Sequence, residues 1–374
     1  MGEKIKKTIN SLIWIMLITL IIIFAADRVS TYYLPDINIV DIYNINQFVI
    51  PKPFLYYAGR PNLDMGKEAL NPLGYRGKIP PPEKGPDEYR IFILGGSTVF
   101  CGNPPIPDLV ERFLLRDLPA TKKASVYNFG VLGQNSGMEL ARVVFEISDF
   151  KPDMIIMYSG ANDVYSPVFA DPRPGYPGNF MIRENNPLQK DAESYPSITM
   201  FLWGSNLFRY LISKNNTILD YYKEKLLSFS RLRLENHYLS DKWIDAIAET
   251  YCANIEKTAI ISDVYGAKFL GFFQPMLFYK DYLDFEEQAC IEQYSRQEID
   301  YHIHVREKIR RLFEQMNDKG ISVYDLSDIY DSTPESVFVD FCHTKQKYKN
   351  VVAAEISRQA ARQMKAIKPD DEKS

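Results

Sequence analysis

A serine placed directly after a short apolar run that ends in glycines is a candidate nucleophile. Ser97 stands in that position, after RIFILGG (90–96) and before TVFCGN. The glycines allow the chain to turn sharply at a strand end and leave the hydroxyl exposed. A serine nucleophile needs a base, and the chain has only 4 histidines. His302 and His304 are two residues apart in a long helical pattern, so they point to different faces and cannot share a metal. His237 lies in an aromatic-rich stretch outside the regular pattern. His343, in VFVDFCHTKQ, follows the last apolar run and precedes the last helical pattern, with Asp340 three residues before it. On a turn entering a helix, that spacing lets the carboxylate accept the imidazole N–H and set the tautomer. Two more groups could serve an oxyanion: the side-chain amide of Asn162 in SGANDVY and the backbone N–H of Gly133 in VYNFGVLGQNSG. Taken singly, each of these is also an ordinary turn or helix cap. All four follow apolar runs, which is what makes them a constellation. The phosphate-loop spacing GxxxxGK[ST] is absent, and no His or Cys cluster offers metal ligands, so neither a metal nor another cofactor is expected.

The elements that must position these residues alternate. RIFILGG (90–96), SVYNFG (125–130), MIIMYSG (154–160), KFLGFFQP (268–275) and ISVYDLS (321–327) are short apolar runs bounded by Gly, Pro or Ser. Such runs mark strands buried on both faces. Helical patterns fall between and after them at roughly 107–118, 136–149, 245–265, 286–318 and 346–366. Strand–helix alternation predicts an α/β fold, a parallel sheet with helices on both faces. Residues 165–244 break the rhythm, include near their start the turn-rich DPRPGYPGNF (171–180), and read as an insertion over the carboxyl ends of the strands. Residues 28–88 carry scattered aromatics and prolines and read as an extended stalk that packs along the domain at 89–366. The last residues, 367–374, read as a polar tail.

The order Ser, Gly, Asn, His resembles that of the SGNH (GDSL-type) hydrolase superfamily of esterases, lipases and acyltransferases. The matching blocks are LGGST around Ser97, NFGVLGQNS around Gly133, SGANDV around Asn162 and DFCH around His343. NPLGYRGK (71–78), ahead of the first apolar run, is similar to a lead-in of membrane-anchored bacterial members. The resemblance implies a three-layer α/β/α, flavodoxin-like parallel sheet. It also implies a catalytic Ser97–His343–Asp340 triad, with the N–H groups of Ser97 and Gly133 and the amide of Asn162 as the oxyanion hole. Two positions depart from the pattern. Gly96 stands where the family name implies Asp, and Tyr348 stands where a glycine usually opens the last helix. The expected activity is ester hydrolysis on an acylated small molecule or an envelope or extracellular glycan. O-acyl transfer by the same triad and a non-catalytic glycan-binding or assembly subunit are the alternatives. A histidine base has to be neutral, so activity is expected to rise through the ordinary imidazole range, near pH 6–7.

The amino terminus points to a membrane. Lys4, Lys6 and Lys7 precede LIWIMLITLIIIFAA (12–26), which contains no charge and ends at Asp27 and Arg28. With its weakly polar flank this is long enough for a tilted spanning helix. Residues 1–27 therefore read as a basic start and a single-pass anchor, with a cytoplasmic amino terminus and everything after Asp27 outside. Cleavage after Ala25 and Ala26 is the competing reading, against which Phe24 occupies a position where a small residue is wanted. The remaining composition is globular, with 46% hydrophobic and 25% charged residues, which excludes wholesale disorder. A net charge of −4 offers no electrostatic case for nucleic acid. Four cysteines are too few for a disulfide scaffold, and no disulfide is expected between Cys101 and Cys342 or between Cys252 and Cys290.

Overall fold

A computed structural model describes residues 2–34, 48–117, 123–177, 204–215, 217–218 and 229–365. They belong to two units, Met1–Asn44 with Met181–Ser230, and Ile45–Phe180 with Arg231–Ser374.

The larger unit is built on five parallel strands: β3 (Glu88–Gly95), β4 (Lys123–Gly130), β5 (Met154–Ser159), β6 (Lys268–Phe273) and β7 (Val323–Asp325). Their order across the sheet is β4-β3-β5-β6-β7. Order reverses between β3 and β5, which is the switch point of a flavodoxin-like sheet and the place where its ligands bind. The registers Gly95↔Gly130 and Ser159↔Phe273 bring the carboxyl ends of the strands level. All six residues of β5 are buried, as a central strand covered on both faces requires. Strand alternation sorts the core. Ile91 and Ile93 join Val110, Leu114, Val352 and Ile356 on one face, from helices α3 (Ile106–Asp117) and α10 (Lys349–Lys365). On the other face Phe92 packs against Tyr127, Phe129 and Phe150. The helices α4 (Ser136–Phe145), α5 (Ala161–Phe169), α7 (Asp241–Val264) and α9 (Arg296–Asp318) follow their strands in the expected order.

The predicted helix over 286–318 is two helices, α8 (Phe285–Ile291) and α9. The break has a local cause. The Ser295 hydroxyl accepts the Glu298 N–H, and the Glu298 carboxylate accepts the Ser295 N–H, a reciprocal cap that starts a new helix. Within the stretch read as an extended stalk, β1 (Val49–Lys52) and β2 (Tyr56–Gly59) form an antiparallel hairpin.

In the smaller unit, α1 (Gly2–Tyr33) continues past Asp27, and its Ile5–Tyr33 portion is long and apolar enough to cross a membrane. Asp27 is buried at its end, where its carboxylate accepts the Ser205 hydroxyl at 2.7 Å and the Leu207 N–H at 3.2 Å. Those residues open the short helix α6 (Asn206–Ser213) of the insertion. Residues 35–47 of the stalk, 178–203 and 219–228 of the insertion, and the 367–374 tail lie outside the described residues.

Candidate active site

Ser97 is the first residue of α2 (Ser97–Phe100), a single helical turn entered directly from β3 through Gly95 and Gly96. Gly95 has φ +159°, and a Cβ there would lie 2.4 Å from the Tyr158 carbonyl of the neighbouring strand. The two strands therefore close up just below the serine. The His343 Nε2 atom is 2.7 Å from Ser97 Oγ, and His343 Nδ1 is 2.7 Å from Asp340 Oδ2. Three residues read from the sequence thus form one hydrogen-bonded chain.

The DFCH block achieves this in a tight hairpin, not in the first turn of a helix. Phe338 and Thr344 form an antiparallel bridge, with the Val339 N–H donating to the His343 carbonyl at 2.8 Å. Inside the turn, Asp340 Oδ1 accepts the backbone N–H of Cys342 at 2.9 Å and of His343 at 2.8 Å. One carboxylate oxygen shapes the turn while the other holds the imidazole. Burial pushes the Asp340 carboxyl up. The His343 ring and the two backbone amides outweigh this and hold it below its ordinary value. The hairpin is itself anchored by a buried ion pair, Lys280–Glu287 at 2.5 Å, whose carboxylate also accepts the N–H groups of Val337 and Phe338. Tyr348 sits in a 3-10 turn just before α10, with its hydroxyl on Glu335, so the position tolerates a large side chain.

Asn162 is the second residue of α5, directly after β5, and Gly133 lies in the turn after β4. Gly133 is at the tip of its turn with φ +68°, a conformation favouring glycine. Asn162 Nδ2 donates to the Gln134 carbonyl at 2.7 Å, which takes one amide proton and orients the other. The same amide nitrogen would lie 2.4 Å from a Cβ at Gly96. The amide therefore rests against the residue preceding Ser97, and the glycine at position 96 leaves room for it. Gly96→Ala should displace the Asn162 amide and, with that amide serving an oxyanion as the sequence leads one to expect, lower kcat by about 10- to 100-fold. Steady-state kinetics on a simple acetyl ester would check this; an unchanged kcat would contradict it.

A second cross-link joins the first turns of α4 and α5, and sequence reasoning missed it. The buried Asp163 carboxylate accepts the Ser136 N–H at 3.1 Å and the Ser136 hydroxyl at 2.5 Å, and Asn254 donates to that hydroxyl at 3.0 Å. Burial pushes Asp163 up to about 7, against the lowering effect of the Ser136 bonds. Glu139, fully buried one turn along α4, is raised well above its ordinary value by burial and by Asp163. The motif SGANDV displays Asp163 beside Asn162, whereas Glu139 occupies a position with no signal of burial. The pH consequence follows from the sign of the shift. Between 3.8 and about 7 the native state holds a proton on Asp163 that the unfolded chain has lost, so this group's contribution to stability falls as pH rises across that window. Asp163→Asn removes the titration. Its Tm relative to wild type should therefore rise steadily from about pH 4 to pH 7. A Tm difference that stays constant over that range would be the contrary result.

The other histidines stand apart. His302 is fully buried, stacks on Phe278 at 3.8 Å, and burial lowers its pKa to about 3, so it is a neutral packing group. His237 and His304 are exposed. Among the described residues, Asp340, Cys342 and His343 are the one grouping of three whose ligand atoms lie close enough to hold a metal, within 4.8 Å of one another. A metal there would compete with Asp340 for His343 Nδ1. It would also need the Cys342 thiolate, which burial strongly disfavours. All four cysteines are free thiols.

No family model matches the chain, and no curated protein matches it. Among solved structures it is similar to a GDSL-like lipase from Bacteroides thetaiotaomicron, at 12% identity over 74% of this chain and 88% of that one, with a TM-score of 0.36. It is likewise similar to an acetylxylan esterase from Geobacillus stearothermophilus, at 12% identity over 72% and 93% of the two chains, with a TM-score of 0.42. A further acetyl xylan esterase matches at 13% identity over 73% and 98%, with a TM-score of 0.40. At this identity and these scores the likenesses carry no argument, and the chemistry of the site rests on its own geometry.

Proposed function

We propose that the chain is a serine ester hydrolase of the SGNH type, with Ser97, His343 and Asp340 as its triad and the N–H groups of Ser97 and Gly133 and the Asn162 amide as its oxyanion hole. The observation that carries this reading is the continuous chain from Ser97 Oγ through His343 to Asp340 at the switch point of a parallel sheet. Ser97 Oγ attacks the ester carbonyl carbon as its proton passes to His343 Nε2. The oxyanion is held by the three donors until the C–O bond to the alcohol breaks and His343 protonates the leaving oxygen. Water, activated by the same histidine, then releases the acid.

We assign an acylated glycan as the substrate class. Its support is a stack of rings leading outward from the histidine: Phe341 lies 6.5 Å from His343, Tyr165 stacks on Phe341 at 3.6 Å, and Phe169 stacks on Tyr165 at 5.5 Å with half its surface exposed. Tyr165 is buried between the other two, so the half-exposed Phe169 is the ring of this stack most open to the C–H face of a sugar. In this reading α1 is a single-pass anchor with its lysines in the cytoplasm and the larger unit outside.

The test is to incubate the full chain in detergent with an acetylated glycan, with and without a deacetylated acceptor, and to follow the acetyl group. Free acetate, lost in Ser97→Ala, is the expected result. Acetyl appearing on the acceptor identifies an O-acyltransferase. Binding without turnover identifies a glycan-binding subunit and refutes the hydrolase.

A further inference from the structure

The lead-in NPLGYRGK is the one motif that the proposed chemistry does not use, yet each residue of Gly74-Tyr75-Arg76-Gly77 has a defined place. Gly74 has φ +83°, and a Cβ there would lie 2.1 Å from the Gly59 carbonyl, so hairpin and lead-in meet backbone to backbone. Gly77 has φ +81° and releases the chain on the far side. The buried Tyr75 stacks on Phe129 at 4.0 Å and places its hydroxyl between Glu146 and Arg142 of α4. These contacts lock the segment onto the sheet and deliver Arg76, which is only 5% exposed, to the underside of the nucleophile's turn.

There the Arg76 guanidinium donates to the carbonyls of Phe100, Gly102 (2.8 Å) and Lys67 (3.0 Å). Glu68 lies 3.4 Å from the guanidinium and accepts the Gly102 N–H at 3.1 Å. From the other side Lys349 Nζ donates to the Cys101 carbonyl at 2.6 Å. Three consecutive carbonyls following Ser97-Thr98-Val99 are thus each capped by a buried cation. A four-residue helix has no stability of its own; of the three capped carbonyls that of Phe100 ends the helix, and those of Cys101 and Gly102 belong to the segment leaving it. Whatever satisfies them fixes the angle at which the turn leaves the sheet. Ser97 is the first residue of that same turn.

We propose that Arg76 is a positioning residue for Ser97, which makes the lead-in a working part of the active site. The inference rests on the reading of Ser97 as the nucleophile, and the experiment separates the two. Active Ser97 is counted by labelling with a fluorophosphonate, in which the serine oxygen bonds phosphorus and fluoride leaves. Turnover of an acetyl ester is then expressed per labelled site. A wild-type chain that neither labels nor turns over would end the reading, and the inference with it. With wild type active, Arg76→Ala should lower kcat per labelled site by about 100-fold, the scale of an ångström-level misplacement, with KM within about twofold. Added guanidine at millimolar concentration should restore part of the loss by filling the vacated space. An unchanged kcat per labelled site overturns the proposal, even if Tm falls. So does a loss that neither guanidine nor the Arg76→Lys substitution recovers, since that is the mark of general damage. If Arg76→Ala does not fold, Glu68→Ala decides. It removes one partner of Arg76 at a half-buried position, and a kcat per labelled site lowered by about three- to tenfold supports the proposal, while an unaltered one overturns it.

Discussion

Ser97→Ala will reduce ester turnover to the background of the assay, a loss on the order of a million-fold, while the domain keeps its fold. The size of the effect comes from chemistry. Ser97 Oγ is 2.7 Å from His343 Nε2, and in the proposed mechanism it supplies the oxygen of the covalent intermediate, so an alanine would leave no nucleophile in its place. The mild structural effect comes from geometry. Ser97 begins the turn of α2, where the three residues buried in the core are Thr98, Val99 and Phe100. Circular dichroism and thermal melts should therefore match wild type within a few degrees. Turnover retained in the alanine variant would remove the serine from the mechanism and leave the other site residues without a common purpose.

Asp340→Asn should lower kcat by about ten thousand-fold with little change in KM. The asparagine keeps one carbonyl oxygen for the backbone N–H groups of Cys342 and His343, so the hairpin should persist. Opposite His343 Nδ1, however, an amide N–H would replace a carboxylate oxygen and turn the imidazole to the tautomer that presents its proton to Ser97. The wild-type carboxyl is held below 3.8, so it stays ionised, and its bonds stay intact, through the mildly acidic range. A folded-state pKa that is lowered contributes stability present above the unfolded value and lost only as pH falls through the folded one. Loss of wild-type activity between about pH 5 and 4 therefore should not report on this group. A pH–rate profile of wild type beside Asp340→Asn would show whether the acid limb survives the substitution; an acid limb that disappears in the asparagine variant would assign it to Asp340 and contradict the argument.

The parts of this site that were legible in the sequence share a cause. Apolar runs such as MIIMYSG and RIFILGG end abruptly in small or polar residues because a central strand is buried on both faces and its end is not. Ser97 and Asn162 are therefore visible as strand-end features and the DFCH block as the stretch before the last helix, and the structure does bring Ser97, His343 and Asp340 together. What stayed hidden depends on partners distant in the chain. Nothing near Glu139 announces that α7 will bury it, because the helix pattern of α4 reads equally well with that carboxylate facing water. Arg76 reads as a turn residue because its acceptors are carbonyls, which every sequence has. The hairpin of β1 and β2 is obscured by Pro51, Pro53 and Phe54, the last of which has φ +64°, so no alternation survives across its turn. The division of 286–318 was available in Ser295-Arg296-Gln297-Glu298, but a long amphipathic period outweighed a four-residue cap.

The turn that carries Ser97 is held from both directions along the chain: Arg76 lies upstream, while His343 and Lys349 lie 246 residues or more downstream of their partners on that turn. This has a consequence for the order of events during synthesis. A ribosome that has made everything through β7 has produced Ser97, Asn162 at the start of α5 and the Arg76 clamp, but neither His343 nor Lys349. Contacts at such separation form late, since the loop between them has to close first. Until those residues are made Ser97 has no histidine beside it, and the turn is fully held only when the DFCH hairpin and the last helix have docked.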